Sequence, residues 1–242
     1  TYKKALQRQI LSGTYDSKNP RIIPMREDRA YRSWKQSKKP QSQALVLFLL
    51  DVSGSMLAED IGENRLSSFK SVLKKYLASH PKAQIGIKAF ASETKTVLPL
   101  SKIKQKVDLD EVTVGMIQDG TALGDAIFEA VKELQAEPAA PKAIIILTDS
   151  SANNAGHLDP ATAADFSKER GIAIYAIGAG KKGLVSFPIY DEGVKKILQV
   201  EIDSDHKAME KLASETGGLY LRAEDQSQLE HAFKQIQEVL NI

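Results

Sequence analysis

Three short segments of this chain carry side-chain oxygen atoms in a pattern that suits a divalent cation. The segment DVSGSM places Asp51, Ser53 and Ser55 at alternate positions directly after an apolar run. The segment DGTALGDAI contains Thr121, and the segment LTDSSANNAG contains Asp149. Hard divalent cations such as Mg²⁺ prefer oxygen ligands. These five residues are therefore the predicted metal ligands, with Mg²⁺ expected and Mn²⁺ or Ca²⁺ as alternatives.

The elements predicted around these segments indicate how distant residues could meet. The apolar runs ALVLFLL and AIIILTD predict two buried parallel strands, which lead into Asp51 and Asp149. Thr121 precedes a segment with helical spacing that begins at Leu123. In an open α/β sheet, ligands bind beyond the carboxyl ends of the parallel strands, near the topological switch point. The three loops are therefore expected to converge at that edge.

Each residue taken singly also has a simpler interpretation. Asp51 and Asp149 could be turn residues, Thr121 could cap a helix, and the two serines could hydrogen-bond within their loop. The joint pattern favours the metal site. Two carboxylates and three hydroxyls would neutralise a divalent cation incompletely, so an Asp or Glu carboxylate of a protein partner is the expected additional ligand.

The whole pattern of apolar residues predicts an α/β fold. We expect a doubly wound, mostly parallel central sheet with one antiparallel edge strand and helices on both faces. The predicted elements are a strand at 44–50, a helix at 64–79, a hairpin formed by AQIGIKAF and KTVLPL, a helix from 123, the strand AIIILTD, the helix PATAADFSKER, the strand GIAIYAIGAG, a second hairpin, a helix at 205–215, the strand LYLRA and a helix at 227–240.

The chain is predicted to consist of a basic N-terminal extension, residues 1–43, and one domain, residues 44–242, with a hairpin insertion at about 183–202. The extension holds 11 Lys and Arg against 3 Asp and Glu, a charge of +8; since the whole chain holds 33 against 31, the remainder has 22 against 28, or −6. Such an arm could contact nucleic acid, an anionic membrane or an acidic protein face. A solvated arm, or one wrapped on the acidic domain, is the simplest interpretation.

Composition excludes several kinds of site. The chain has no cysteine, which rules out disulfides and thiolate metal sites, and its four histidines lie far apart in sequence. The longest apolar run, 44–50, is much shorter than the roughly 20 residues of a membrane-spanning helix. Because the sequence starts at Thr1, a longer protein whose flanks carry a targeting segment or an anchor is an alternative to a complete chain.

The pattern DxSxS, then Thr, then Asp resembles the metal-ion-dependent adhesion site (MIDAS) of von Willebrand factor A domains. The resemblance covers residues 44–242. It implies that Ser53, Ser55 and, in the high-affinity state, Thr121 bind the metal directly, while Asp51 and Asp149 act directly or through water. It also implies a protein-binding module that is not an enzyme, with no small-molecule substrate.

Two narrower resemblances refine this expectation. The segments DVSGSMLAED, NRL, DGTALGDAI and ASETGGLYLRA are similar to the bacterial aerotolerance (Bat-type) proteins, although Ser150 and Ser151 stand where those proteins usually have Gly and Glu. The basic arm resembles the segment before the A domain in the bacterial YeaH/YhbH family, soluble proteins linked with a stress-related serine kinase. Together they imply an adaptor in bacterial stress response or complex assembly. A cytoplasmic location is expected, with a periplasmic or membrane-anchored one as the alternative.

Three other functions are weighed against this one. GAGKKG at 178–183 fits a dinucleotide-binding fingerprint, with Asp203 about 20 residues later, but strand-like residues follow it where a helix is needed. A metal-assisted phosphoester hydrolase would need a general base, and His157 is the one candidate near the third loop. Nucleic-acid binding through the arm would weaken steeply with salt.

Overall fold

The structure is a computed structural model that describes residues 2–25, 44–80, 83–102, 107–137, 141–149, 153–191, 194–202 and 206–240. The chain divides into two compact units, residues 1–41 and 42–242. The strands are β1 (Leu45–Asp51), β2 (Gln84–Phe90), β3 (Thr94–Lys102), β4 (Lys142–Thr148), β5 (Ile172–Ala179), β6 (Gly183–Asp191), β7 (Val194–Ile202) and β8 (Tyr220–Ala223). The helices are α1 (Tyr2–Leu11), α2 (Arg65–Ser79), α3 (Leu123–Ala136), α4 (Pro160–Glu169), α5 (His206–Glu215) and α6 (Gln226–Leu240).

The first unit contains α1 and an extended segment that runs back along it. The side-chain amide of Gln9 donates to the carbonyl of Arg21 and its oxygen accepts from the backbone N–H of Ile23. Arg8 donates to the carbonyl of the same Ile23. The rest of the basic arm, residues 26–43, lies outside the described residues.

Six strands of the second unit form one sheet in the order β3-β2-β1-β4-β5-β8, and only the β2–β3 pair is antiparallel. The predicted α/β class with an antiparallel edge strand is confirmed. Strand β2, which follows β1 in the chain, lies on one side of β1 in the sheet. Strand β4 lies on the other side of β1, and β5 lies next to β4, farther from β1. The carboxyl ends of β1 and β4 therefore form the topological switch point at which an α/β fold binds ligands.

Alternate residues of β1 point into two separate cores, as a strand that is buried on both faces requires. Val46 and Phe48 pack with α2 and α6, while Leu47 and Leu49 pack with α3, α4 and α5. Helices thus cover both faces of the sheet. Because β1 is completely buried, its last residue, Asp51, is held at a fixed place.

The hairpin β6–β7 is a two-stranded sheet outside the six-stranded one. It carries several exposed apolar side chains, namely Leu184, Ile189, Val194, Ile197 and Leu198. Within the described parts of the chain, no helix is both long enough and apolar enough to cross a membrane.

Candidate metal centre

Asp51 lies at the carboxyl end of β1 and is completely buried. One carboxylate oxygen accepts the backbone N–H of Ser53 at 2.9 Å, and the other accepts the hydroxyl of Thr148 at 2.6 Å. Thr148 ends β4, the neighbouring strand. The side chain of Asp51 is therefore fixed by its own loop and by the adjacent strand.

Ser53, Ser55 and Asp149 form a chain of hydrogen bonds beside Asp51. The two serine hydroxyls are 3.1 Å apart, and the Ser55 hydroxyl donates to Oδ1 of Asp149 at 3.0 Å. Ser53 precedes a short 3₁₀ helix, Gly54–Leu57, but makes no side-chain capping bond to it. The structure thus brings four of the five predicted ligands together.

Thr121 reaches the same edge of the sheet from the loop before α3. Its backbone N–H donates to Oδ1 of Asn154 at 2.7 Å, and the cap residue of α3 is Ala122, so Thr121 is not a helix N-cap. Two residues earlier, the carboxylate of Asp119 accepts the backbone N–H of Gly54 at 2.8 Å. This bond ties the loop of Thr121 to the loop that carries the serines.

Arg65, the first residue of α2, is a part of the site that sequence reasoning missed. Its side chain is 1% exposed and donates from Nη1 to Oδ2 of Asp149 at 2.6 Å. It also donates from Nε and Nη2 to the two carboxylate oxygens of Asp60, at 2.8 and 2.6 Å. The NRL motif that contains Arg65 gives no signal of this role, because an arginine in the first turn of a helix usually faces solvent.

The charges of this cluster favour a cation. Burial, together with the nearby charge of Asp149, raises the pKa of Asp51 to about 7. Burial would also raise the pKa of Asp60, but the hydrogen bonds from Arg65 outweigh it and hold that pKa below its usual value. When ionised, three carboxylates and one guanidinium leave a formal charge of −2.

The polar side-chain atoms of the five predicted ligands are all oxygens, as a hard divalent cation requires. Across the described ranges, no group of three or more His, Asp or Glu side chains could hold a metal ion. Any metal here would therefore depend on the hydroxyls of Ser53, Ser55 and Thr121 as well as on the carboxylates. The residues present fit a MIDAS-type ion, whose shell is rich in hydroxyls.

Other candidate residues lie elsewhere or outside the described residues. His157 is exposed, and its ring pairs with Asp125 in the first turn of α3 at 3.3 Å. GAGKKG leads into strand β6 instead of a helix, so the dinucleotide interpretation fails on geometry. Ser150, Ser151 and Asp203 are among the residues that the structure leaves undescribed.

Comparison with known proteins identifies this arrangement. The sequence pattern of the von Willebrand factor type A domain matches residues 46–235. The chain belongs to this family. It is 27% identical to a UPF0353 protein of Mycolicibacterium paratuberculosis over 82% of its own length and 61% of that relative. The chain spans about three fifths of the length of the curated relatives it matches first.

Two solved structures are also similar to this chain. An aerotolerance-related membrane protein of Bacteroides fragilis has a TM-score of 0.69 and 26% identity, over 82% of this chain and 98% of that one. This likeness supports the Bat-type resemblance. The proximal thread matrix protein 1 of the mussel byssus, with a zinc-occupied MIDAS motif, has a TM-score of 0.60 and 20% identity, over 81% of this chain and 47% of that one. At that identity it shows the shared fold.

Proposed function

We propose that this chain is a protein-binding module that depends on a divalent cation. Asp51, Ser53, Ser55, Thr121 and Asp149 would hold the ion, with Mg²⁺ expected. The ion would supply a Lewis-acidic contact for an Asp or Glu carboxylate of a partner protein. The zinc-occupied MIDAS motif of the mussel protein supports a divalent ion at the equivalent place in this fold.

The observation that carries this proposal is the buried cluster of oxygen ligands at the switch point. Asp51 is buried beside Asp149, and the pKa of Asp51 rises to about 7 because neither burial nor this neighbour favours its charge. A divalent cation removes that cost. Asp149 also shares its charge with Arg65, which leaves less of it for a metal and strengthens the case for a carboxylate from outside.

A non-enzymatic role is part of the proposal. A hydrolase needs a group that can accept a proton near the metal. His157, the candidate base near the third loop, is exposed and pairs with Asp125 instead. We therefore expect no Mg²⁺- or Mn²⁺-dependent hydrolysis of phosphoesters; turnover that is lost in Asp51→Ala would establish the hydrolase alternative.

The cellular setting extends this proposal. The similar aerotolerance-related and UPF0353 proteins are bacterial, which supports an adaptor role in a bacterium. Stress response, cytoplasmic location and the relation of the arm to the YeaH/YhbH family stay predictions. So does nucleic-acid binding through residues 1–43, which a salt titration with and without those residues would test.

The central test measures metal binding and partner capture with the same proteins. Calorimetric titration with MgCl₂ should show one site in the unaltered chain and none in Asp51→Ala. Asp165→Ala changes an exposed aspartate of α4 and serves as the matched control. Partner capture from a bacterial extract should require Mg²⁺, disappear with chelator, and fail with Asp51→Ala but not with Asp165→Ala.

The identified partner then tests the carboxylate contact directly. Changing its contacting Asp or Glu to Asn or Gln should abolish capture, because an uncharged amide is a poor ligand for Mg²⁺. Capture that persists in chelator and in Asp51→Ala would contradict the proposed function.

A further inference from the structure

Arg65 is almost fully buried, yet three hydrogen bonds place its charge between two carboxylates. Two of these bonds go to Asp60 and one goes to Asp149. A guanidinium presents several donors in one plane, so it can fix two carboxylates at once, which a lysine ammonium cannot do with the same geometry. Arg65 therefore links a predicted metal ligand to a carboxylate outside the ligand set.

The bond to Arg65 determines how Asp149 faces the site. Arg65 occupies Oδ2 of Asp149, and the hydroxyl of Ser55 occupies Oδ1. The carboxylate is thus held from both sides, with Oδ1 directed to the serine hydroxyls. Metal ligands are commonly oriented by partners of this kind, and loss of such a partner typically weakens binding by about 10–100-fold.

Asp60 continues the connection to the base of the hairpin. Its Oδ2 accepts both Nη2 of Arg65 and the backbone N–H of Lys181, at 2.6 and 2.8 Å. A Cβ atom on Gly180 would lie 2.6 Å from Nη2 of Arg65, so the guanidinium packs directly on this backbone. Lys181 lies two residues before β6.

A neighbouring residue makes a second connection to the same hairpin. The backbone N–H of Glu59 donates to the carbonyl of Ser186 in β6 at 2.8 Å, and its carboxylate pairs with Lys195 in β7. Glu59 and Asp60 are adjacent in the loop that leads to α2. The hairpin is therefore attached to the metal centre through a continuous set of hydrogen bonds.

We propose that Arg65 is a positioning residue that orients Asp149 for the metal and, through Asp60, couples metal binding to the β6–β7 hairpin. This inference rests on the proposed function, since it assumes that the cluster binds a cation. It adds that the hairpin, with its exposed apolar side chains, responds to occupation of the site.

Charge and geometry predict different outcomes for a lysine at this position. Arg65→Lys keeps a positive charge but cannot make the same bonds to both carboxylates. If Arg65 acted only by its charge, the variant would retain its Mg²⁺ affinity. If Arg65 positions Asp149, the affinity should fall by about 10-fold or more. Arg170→Lys is the matched control. It makes the same substitution at an arginine that stacks on Phe166 and bonds to Gln135 on α3, neither of which is a predicted ligand.

Asp60→Asn tests the connection to the hairpin. The amide offers one acceptor oxygen in place of two, so at least one of the bonds from Arg65 and Lys181 must be lost. Hydrogen exchange of the full chain should show that Mg²⁺ slows exchange at the backbone N–H groups of Glu59 and Lys181, and that Asp60→Asn loses this slowing. Circular dichroism would show whether Arg65→Lys folds. If it does not, Asp60→Asn is the variant that tests the proposal.

The outcomes separate the two proposals. If the unaltered chain binds no Mg²⁺, the proposed function fails and this inference fails with it. If the chain binds Mg²⁺ and Arg65→Lys binds it equally well, Arg65 does not position Asp149. If Mg²⁺ leaves the exchange of Glu59 and Lys181 unchanged, or slows it equally in Asp60→Asn, the coupling to the hairpin is wrong.

Discussion

At the scale of single residues, the main feature is a carboxylate placed where its charge is unfavourable. Asp51 is buried, and it shares the site with Asp149. Its two oxygens accept hydrogen bonds from Ser53 and Thr148, which offset only part of that cost, because the pKa is still raised to about 7. This uncompensated charge supports the proposal that the site binds a cation.

This raised pKa predicts how the stability of the metal-free protein depends on pH. The folded state favours the protonated form of Asp51, whereas an unfolded chain has the ordinary pKa of 3.8. Protonated Asp51 therefore adds to the free energy of unfolding, on the order of a few kcal/mol. This stabilisation is complete below about pH 4 and is lost as the pH rises through about 7. Urea unfolding in chelator at pH 5 and pH 8 would measure it.

Asp51→Asn provides the control for this pH dependence. The amide cannot ionise, so the difference in unfolding free energy between pH 5 and pH 8 should be smaller in the variant than in the unaltered chain. An identical difference in both proteins would show that another group causes it.

At the scale of elements, the position of Thr121 depends on close packing between the loop after β4 and the first turn of α3. A Cβ atom on Gly124, in the first turn of α3, would lie 1.9 Å from the carbonyl oxygen of Leu158. The side chain of Asn153 accepts the N–H of Gly124 and donates to the same carbonyl. Glycine therefore allows the loop after β4 to pack on the first turn of α3, directly after the loop that carries Thr121.

Gly124→Ala should lower the free energy of unfolding, by about 1–3 kcal/mol from overpacking. Alanine is the better helix former by about 1 kcal/mol, so helix propensity alone predicts the opposite sign. Thermal unfolding of the two proteins in chelator would decide between these effects. A more stable variant would mean that the loop moves away without cost.

At the scale of the whole molecule, a ligand that binds only the folded state must stabilise the entire domain. At a Mg²⁺ concentration 100 times the dissociation constant, the expected gain is about 2.7 kcal/mol. For a domain of this size, that corresponds to a rise in Tm of roughly 5–10 °C. Differential scanning calorimetry with Mg²⁺ and with chelator measures it.

The same variants as in the binding experiment test the origin of this stabilisation. Asp51→Ala should show no rise in Tm with Mg²⁺, whereas Asp165→Ala should behave like the unaltered chain. An equal rise in Asp51→Ala would place the stabilising ion somewhere else on the protein.

The sequence by itself determined the layers of the fold and the identity of the oxygen-rich loops. The prediction of a strand at 44–50 and a helix at 64–79 agrees closely with β1 and α2, because the apolar periods of buried strands and of amphipathic helices differ. The succession of elements along the chain also follows the predicted alternation of strands and helices. These features depend on local patterns, which a single sequence contains.

Only the tertiary structure decided which groups surround Asp51 and Asp149. Thr148 and Arg65 carry no local signal for their roles: one lies 97 residues from Asp51 and the other 84 residues from Asp149. Their contacts exist because β1 and β4 are neighbours in the sheet and because α2 begins beside their carboxyl ends. The link from Asp60 to Lys181 spans 121 residues and likewise arises from packing. The sequence therefore predicts candidate ligands, whereas the folded chain determines the hydrogen bonds and charges that act on them.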